Sequence, residues 1–248
     1  MFLADFHMHT NRSDGKLPMR DLVDLYGARG FGAIAITDHL CDETVLGKAS
    51  RYLNLSLSKE RFSHYMAEIH EEAARAWRQY GMLVLPGFEL TKNSLSNHRS
   101  AHVLAVGISE FVDPGMDVAD IARAIRAQGG LAIAAHPVST RKVEKQTYHL
   151  WDRREELRSA FDAWEVASGP YLFDEVMASG LPMIANSDLH HAAQMTSWKT
   201  VLECERHPEA VLDAIRRQEV RFQFYRDVQV APARRFFPEP LLAPFPVA

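Results

Sequence analysis

The sequence is short of cysteine, has no long apolar run, has no glycine-rich phosphate loop and carries no large excess of charge of either sign. Its two cysteines, Cys41 and Cys204, lie far apart and outside any Cys-x-x-Cys spacing. That excludes a disulfide framework and makes a reducing cytoplasm the expected compartment. No stretch approaches the roughly 20 apolar residues of a membrane span. The apolar start, Met1 to Phe6, is too short for a signal peptide. With 28 basic and 32 acidic residues the net charge is −4, so no global field favours nucleic acid or an anionic membrane. A nucleic-acid substrate would need a local basic patch. No Gly-x-Gly-x-x-Gly appears, which argues against a nucleotide-binding open sheet. What is abundant is histidine: there are 12 in 248 residues, most of them in short polar clusters.

Hydrophobic residues make up 47% of the chain, enough for one compact unit with a large core. Seven short apolar runs recur: Phe2–Phe6, Ala33–Thr37, Met82–Pro86, Val103–Val106, Leu131–Ala135, Ala163–Val166 and Met183–Ala185. They are near-continuously apolar, as strands buried on both faces should be. Helical patterns lie between them. One follows Pro18 and stops near Gly30; a long one runs from Ser58 to Gly81; another runs from Asp117 to Gly129-Gly130. Pro170–Ser179 and Pro208–Gln218 read the same way. Alternation of this kind predicts an α/β fold of parallel strands joined by helical crossovers. A distorted (β/α)7 TIM-like barrel is favoured over an open sheet, because polar clusters follow nearly every run and would meet at one C-terminal face. This barrel would occupy residues 1–226. Residues 227–248, with five prolines and no amphipathic period, are expected to form an extended tail that straps the body or meets another subunit.

The polar clusters carry the chemistry. The first run ends in His7-Met8-His9, followed by Asp14. In extended chain, residues i and i+2 point the same way, so both imidazoles can reach one ion. The later clusters are Thr37-Asp38-His39, Glu89, His102 at the head of the fourth run, His136-Pro137, and Asp188-Leu189-His190-His191. A single histidine at a strand end is ordinarily just hydrogen-bonded. Six clusters of imidazole and carboxylate, which the barrel would bring to one face, are expected to form a metal centre. Without thiolate, they suit Zn²⁺, Mn²⁺ or Fe²⁺.

As a set and in this order, these motifs resemble the PHP family, the polymerase and histidinol phosphatase superfamily of metal-dependent phosphoesterases. The family fold is a distorted barrel of seven strand–helix units. The resemblance implies two or three divalent ions. His7, His9, Glu89 and Asp188 would hold the first. Glu89 would bridge to a second completed by His102 and His136, and Asp14, His39 and His190 would hold a third. Some members carry histidine where Asp14 stands. Asp38 is expected to orient an imidazole rather than bind metal.

Such a cluster would be strongly positive, which suits a phosphate ester. The expected reaction is hydrolysis of a phosphate monoester by a shared, acidified water, with Glu89, Asp188 and His190 as the catalytic groups. Arg12, His98, Arg99 and Arg141 are the candidates for holding the substrate's charge. The substrate class spans nucleotides, histidinol phosphate and other small phosphorylated metabolites. An exonuclease on short single strands and a non-catalytic metal-binding module are the alternatives.

Overall fold

The computed structural model describes residues 1–94, 99–138 and 148–227. In chain order the elements are β1 (Phe2–Asp5), α1 (Met19–Gly27), β2 (Ala33–Ile36), β3 (His39–Cys41), α2 (Val45–Tyr52), α3 (Phe62–Tyr80), β4 (Leu83–Lys92) and β5 (Ala101–Val106). They continue as α4 (Val118–Ala127), β6 (Leu131–Ala134), α5 (Tyr148–Asp152), α6 (Arg154–Leu157), β7 (Ala163–Ser168), β8 (Tyr171–Leu172) and α7 (Asp174–Met177). The last are β9 (Met183–Asn186), β10 (Ser197–Leu202), α8 (Pro208–Arg216) and β11 (Val220–Tyr225). The strands form one mixed sheet in the order β11-β10-β1-β2-β4-β5-β6-β7-β8, with β3 also on β4 and β9 also on β7. This sheet curls into a half-barrel. Its margins are tied together: Thr200 on β10 takes the Ala185 amide and donates to the Ala185 carbonyl on β9.

All seven expected runs are strands, but they are not all parallel. β5 pairs antiparallel with both β4 and β6. The physical reason is the connection. Only residues 93–100 link β4 to β5, too few for the dozen or more that a parallel crossover needs. The reversal has a consequence for the site. The first turn of β5, rather than its last, lies beside the C-terminal ends of its neighbours, and that is where His102 sits. The β10–β11 hairpin was not expected, because its strands, Ser-Trp-Lys-Thr-Val-Leu and Val-Arg-Phe-Gln-Phe-Tyr, break the apolar pattern with Lys199 and Arg221. The helix expected over Pro170–Ser179 shrinks to α7, since Tyr171 and Leu172 fold back on β7.

Helix ends follow local chemistry. Asp117 caps α4 by accepting from the Ala119 amide. Gly81 closes α3 in the left-handed region (φ 61°), where a side chain would be strained. Ser58 precedes a single 3-10 turn and makes no side-chain cap. Among the described residues no helix is long and apolar enough to cross a membrane.

Strand alternation separates two cores. One face carries Ile34, Ile36, Val84, Phe88, Val103, Ala105 and Trp164, and packs against α1, α3 and α4 through Leu22, Tyr26, Ile69 and Ile121. The other carries Ala33, Ala35, Leu83, Leu85, Leu104, Val106, Ile133 and Ala163, against which α8 lays Val211, Leu212 and Ile215. By the two-residue period, Glu89 continues the second face from Leu83 and Leu85, His102 precedes Leu104 on it, and Glu165 follows Ala163. The inner face is therefore apolar at the α8 end and lined with ligating groups at the other.

Between β1, β10 and α1 lies a buried ion pair. Lys199 is wholly buried, its Nζ 2.5 Å from Asp5 Oδ2 and 2.9 Å from Ser197 Oγ. Asp5 also accepts from the Tyr26 hydroxyl and from the Ser187 amide and hydroxyl. Removing one member of a buried pair leaves a desolvated charge. Lys199→Met is expected to lower unfolding free energy by about 3–5 kcal/mol, and Asp5→Asn combined with Lys199→Met to recover part of that loss. Denaturant unfolding checks this; an equal or larger loss in the double variant would contradict it.

Candidate metal centre

The nine residues expected to bind metal come together at the ligand-lined end of the inner face. Glu89 is the centre. Its Oε1 lies 2.9 Å from His102 Nδ1, 3.2 Å from His136 Nε2 and 3.5 Å from His7 Nε2. Its Oε2 lies 2.8 Å from His39 Nδ1 and 3.5 Å from His9 Nε2. Asp188 Oδ1 stands 3.3 Å from both His7 Nε2 and His9 Nε2. Asp14 faces His190 Nε2 at 3.3 Å and His39 Nε2 at 3.6 Å. Among the described residues four groups have donor atoms close enough to share an ion: His9, Asp14, His39 and His190; His7, His9 and Glu89; His7, His136 and Asp188; and His39, Glu89 and His102. In these groupings His9 stands with Asp14, His39 and His190 as well as with His7 and Glu89.

Backbone interlocking holds these positions. After β1 the chain runs beside residues 187–190: the His9 amide donates to the Leu189 carbonyl and the Leu189 amide to the His7 carbonyl. The loop carrying Asp14 turns at Gly15, where an added Cβ would stand 2.2 Å from the His9 carbonyl oxygen, so only glycine fits without displacing His9. Asp38 anchors the same loop, accepting from the Thr10 amide, the Thr10 hydroxyl and the Ser13 hydroxyl. This corrects the expectation for Asp38: it orients a loop, and among the described residues it hydrogen-bonds no imidazole. Two ligating positions have left-handed backbone, His136 at φ 25° and Asp188 at φ 51°. Such strain persists only where surrounding contacts over-determine it.

The imidazole orienter is a residue the sequence reading passed over. Glu165, fully buried on β7, accepts from His7 Nδ1 at 2.9 Å, from Asn186 Nδ2 at 2.9 Å and from the His136 amide at 2.6 Å. Asn93 was passed over as well, its Oδ1 3.2 Å from His102 Nε2. The available signal for Glu165 was a carboxylate inside the apolar run Ala-Trp-Glu-Val-Ala, where a buried charge needs a partner. The proposed substrate-holding residues fare differently. Arg12 is already engaged by Glu68 through two bonds of 2.8 and 3.0 Å. Arg99 is exposed. His98 and Arg141 lie outside the described residues, as does the tail from residue 228 onward.

The donor set fits metal ions. With its Nδ1 on Glu165, His7 turns Nε2 toward two carboxylates, and that buried nitrogen has no hydrogen-bond partner among the described residues. Both nitrogens of His9 and Oε2 of Glu89 are in the same state, the Nδ1 bond of His39 going to Thr91 Oγ1. Nitrogen and oxygen lone pairs directed at one another in a dry site need a cation between them, either a proton or a metal.

Electrostatics give the same picture. Burial alone would lower His7 and His39, yet the carboxylates outweigh it: Glu165, Asp188 and Glu89 hold His7 well above its ordinary value, and Glu89 with Asp14 does the same for His39. Against the same burial, Glu89 and Asp188 bring His136 to about 9. His9 is held near 3 by burial and by neighbouring His39 and His190. Glu89 and Asp188, despite burial, are held far below the carboxylate range by these imidazoles. A metal ion taking the nitrogens of these raised imidazoles therefore competes with protons for them. Calorimetric titration of Zn²⁺ into metal-free protein at pH 7.5, in two buffers of different ionisation enthalpy, should show release of at least one proton per chain, and affinity should weaken as pH falls. Identical heats in both buffers would contradict this.

Comparison with known proteins places the chain. In fold it is similar to a two-domain protein from Bacteroides vulgatus containing a predicted PHP-like metal-dependent phosphoesterase, with a TM-score of 0.65 and 23% identity, over 90% of this chain and 65% of that one. The chain thus spans less than two thirds of that protein's length. It is also similar to an amidohydrolase from Chromobacterium violaceum, solved with bound sulfate and no metal, with a TM-score of 0.51 and 18% identity, over 76% and 87% of the two chains. No curated protein sequence matches it significantly. The model of the PHP domain matches residues 5–169, well over half of the 248, and the chain belongs to that family.

Proposed function

We propose that the protein is a metal-dependent phosphoesterase that hydrolyses a small phosphate monoester. The observation that carries this reading is the set of buried donor atoms on His7, His9 and Glu89 left without hydrogen-bond partners, within a cluster of nine ligating side chains. His7, His9, His136, Asp188 and Glu89 would hold ions in the interior, Glu89 with His39 and His102 beside them, and Asp14, His39, His9 and His190 toward the rim. Zn²⁺, Mn²⁺ or Fe²⁺ suit nitrogen and oxygen donors without thiolate. Divalent ions held there supply Lewis acidity and an acidified water for attack on phosphorus.

The chain's own residues do the rest. The mouth lies where side chains keep some exposure, at Asp14 (32%), His190 (27%) and Asp188 (20%), while His7, His9 and Glu89 are closed off. Substrate enters on that side. His190 directs Nδ1 at the Asp188 carbonyl, 3.0 Å away, which leaves Nε2 facing Asp14 and the mouth as the nitrogen that would hold a rim ion. The buried floor excludes bulk water and strengthens every charge interaction at the reacting phosphate. Retention of the whole donor set favours turnover over a purely structural metal module.

The test is phosphate release by the metal-analysed protein, with and without added Mn²⁺ or Zn²⁺. The substrates are p-nitrophenyl phosphate, histidinol phosphate, nucleoside mono- and bisphosphates and a short single-stranded oligonucleotide. Two or more ions per chain with release from a monoester is the expected result. Glu89→Ala should lower the rate more than about 100-fold, because even outer partners of metal ligands are worth 10–100-fold. Stoichiometric metal with no turnover of any substrate would overturn the enzyme reading, and full activity in Glu89→Ala would overturn the role of the cluster.

A further inference from the structure

Beneath the ligand cluster, Glu165 joins three chain segments, those following β1 and β6 and the end of β9. Its Oε1 serves the His7 ring and the Asn186 amide group. Its Oε2 takes the backbone amide of His136 at 2.6 Å, at the residue whose φ of 25° is left-handed. Asn186 passes the connection on, its Oδ1 accepting from the Phe6 amide next to His7, and it stands two residues before Asp188. The rings of His7 and His136 lie stacked 5.6 Å apart at 19°. One of the four donor groups consists of His7, His136 and Asp188, and Glu165 reaches all three of its strand ends. It makes no hydrogen bond to the rim group of His9, Asp14, His39 and His190.

From this we infer that Glu165 is a positioning residue for one ion of the centre, that held by His7, His136 and Asp188, and sets the tautomer of His7 that lets Nε2 ligate. The inference rests on the metal-dependent reading above. A carboxylate is required because all three partners donate. An amide in its place puts an N–H₂ where a donor already stands. Turned one way, it meets His7 Nδ1 and Asn186 and drives the proton of His7 to Nε2, removing the ligand. Turned the other way, it meets the His136 amide and displaces that ligand instead. Both orientations damage the same ion, and neither touches the rim group.

Zn²⁺ titration of metal-free protein, with metal content measured on the loaded chain, tests this without reference to turnover. Glu165→Gln should lose about one ion per chain or bind it 10–100-fold more weakly, keeping the others within a few-fold of wild type. Asp14→Ala should show the opposite selection, losing the rim ion alone. In wild-type, ¹⁵N-histidine-labelled protein loaded with Zn²⁺, His7 should carry its proton on Nδ1, a measurement that stands whether or not the Gln variant folds. A proton on Nε2, or a Gln variant with the full complement at unchanged affinity, or one that loses every ion uniformly, would overturn the assignment. A wild-type chain that binds no Zn²⁺ at all would instead overturn the metal-dependent reading itself.

Discussion

The structure depends on one buried carboxylate. Glu89 sits at the ligand-lined end of the half-barrel with imidazoles of His7, His9, His39, His102 and His136 within 3.5 Å. An ionised carboxylate without compensation is among the costliest groups to bury, so everything around Glu89 has to supply positive charge or donor atoms. Four segments of chain do so, and each must arrive at its own place. The inner-face parity of β4 sets Glu89 itself. The antiparallel course of β5 delivers His102 at its first turn. The strained backbone at position 136 turns that imidazole inward. The curl of the sheet is what lets groups as far apart in sequence as His7 and Asp188 meet at 3.3 Å.

A second tier of carboxylates holds the first in place. Glu165 fixes His7 and His136, Asp38 fixes the loop that carries Asp14, and Asp5 fixes Ser187 just before Asp188. Each is buried, and Glu165 and Asp5 each accept from groups on different segments. This division explains how two left-handed positions are tolerated at the centre. The strain is offset by hydrogen bonds that would be lost together if the backbone relaxed. Charge is divided as well. Lys199 neutralises Asp5 from the helix-facing side of the sheet, so the cations of the inner side remain committed to Glu89 and Asp188.

Much of this was legible in the residues. The seven apolar runs mark seven strands, because a strand buried on both faces has no polar position to interrupt it. The nine candidate ligands stand out for the complementary reason: so many imidazoles and carboxylates at strand ends exceed what ordinary hydrogen bonding uses, and their order resembles that of a known family. The β10–β11 hairpin was not legible. Lys199 reads as a surface residue until a buried Asp5 is placed beside it, and no local pattern links positions 5 and 199. The pairing of Arg12 was hidden for a similar reason, since its Glu68 partner lies on α3, 56 residues away.

What the sequence determined by itself was therefore the inventory: seven of the strands, the side chains that are candidates for holding metal, and that their chemistry is nitrogen and oxygen rather than sulfur. Local periodicity and residue type are enough for that, because both are properties of neighbours in the chain. Tertiary structure alone decided the direction of β5, the grouping of the ligands into sets that can share an ion, and the roles of Glu165, Asp38 and Lys199. These are questions of which distant groups share a buried space, and hydrogen bonds across 158 or 194 residues leave no trace in any window of sequence.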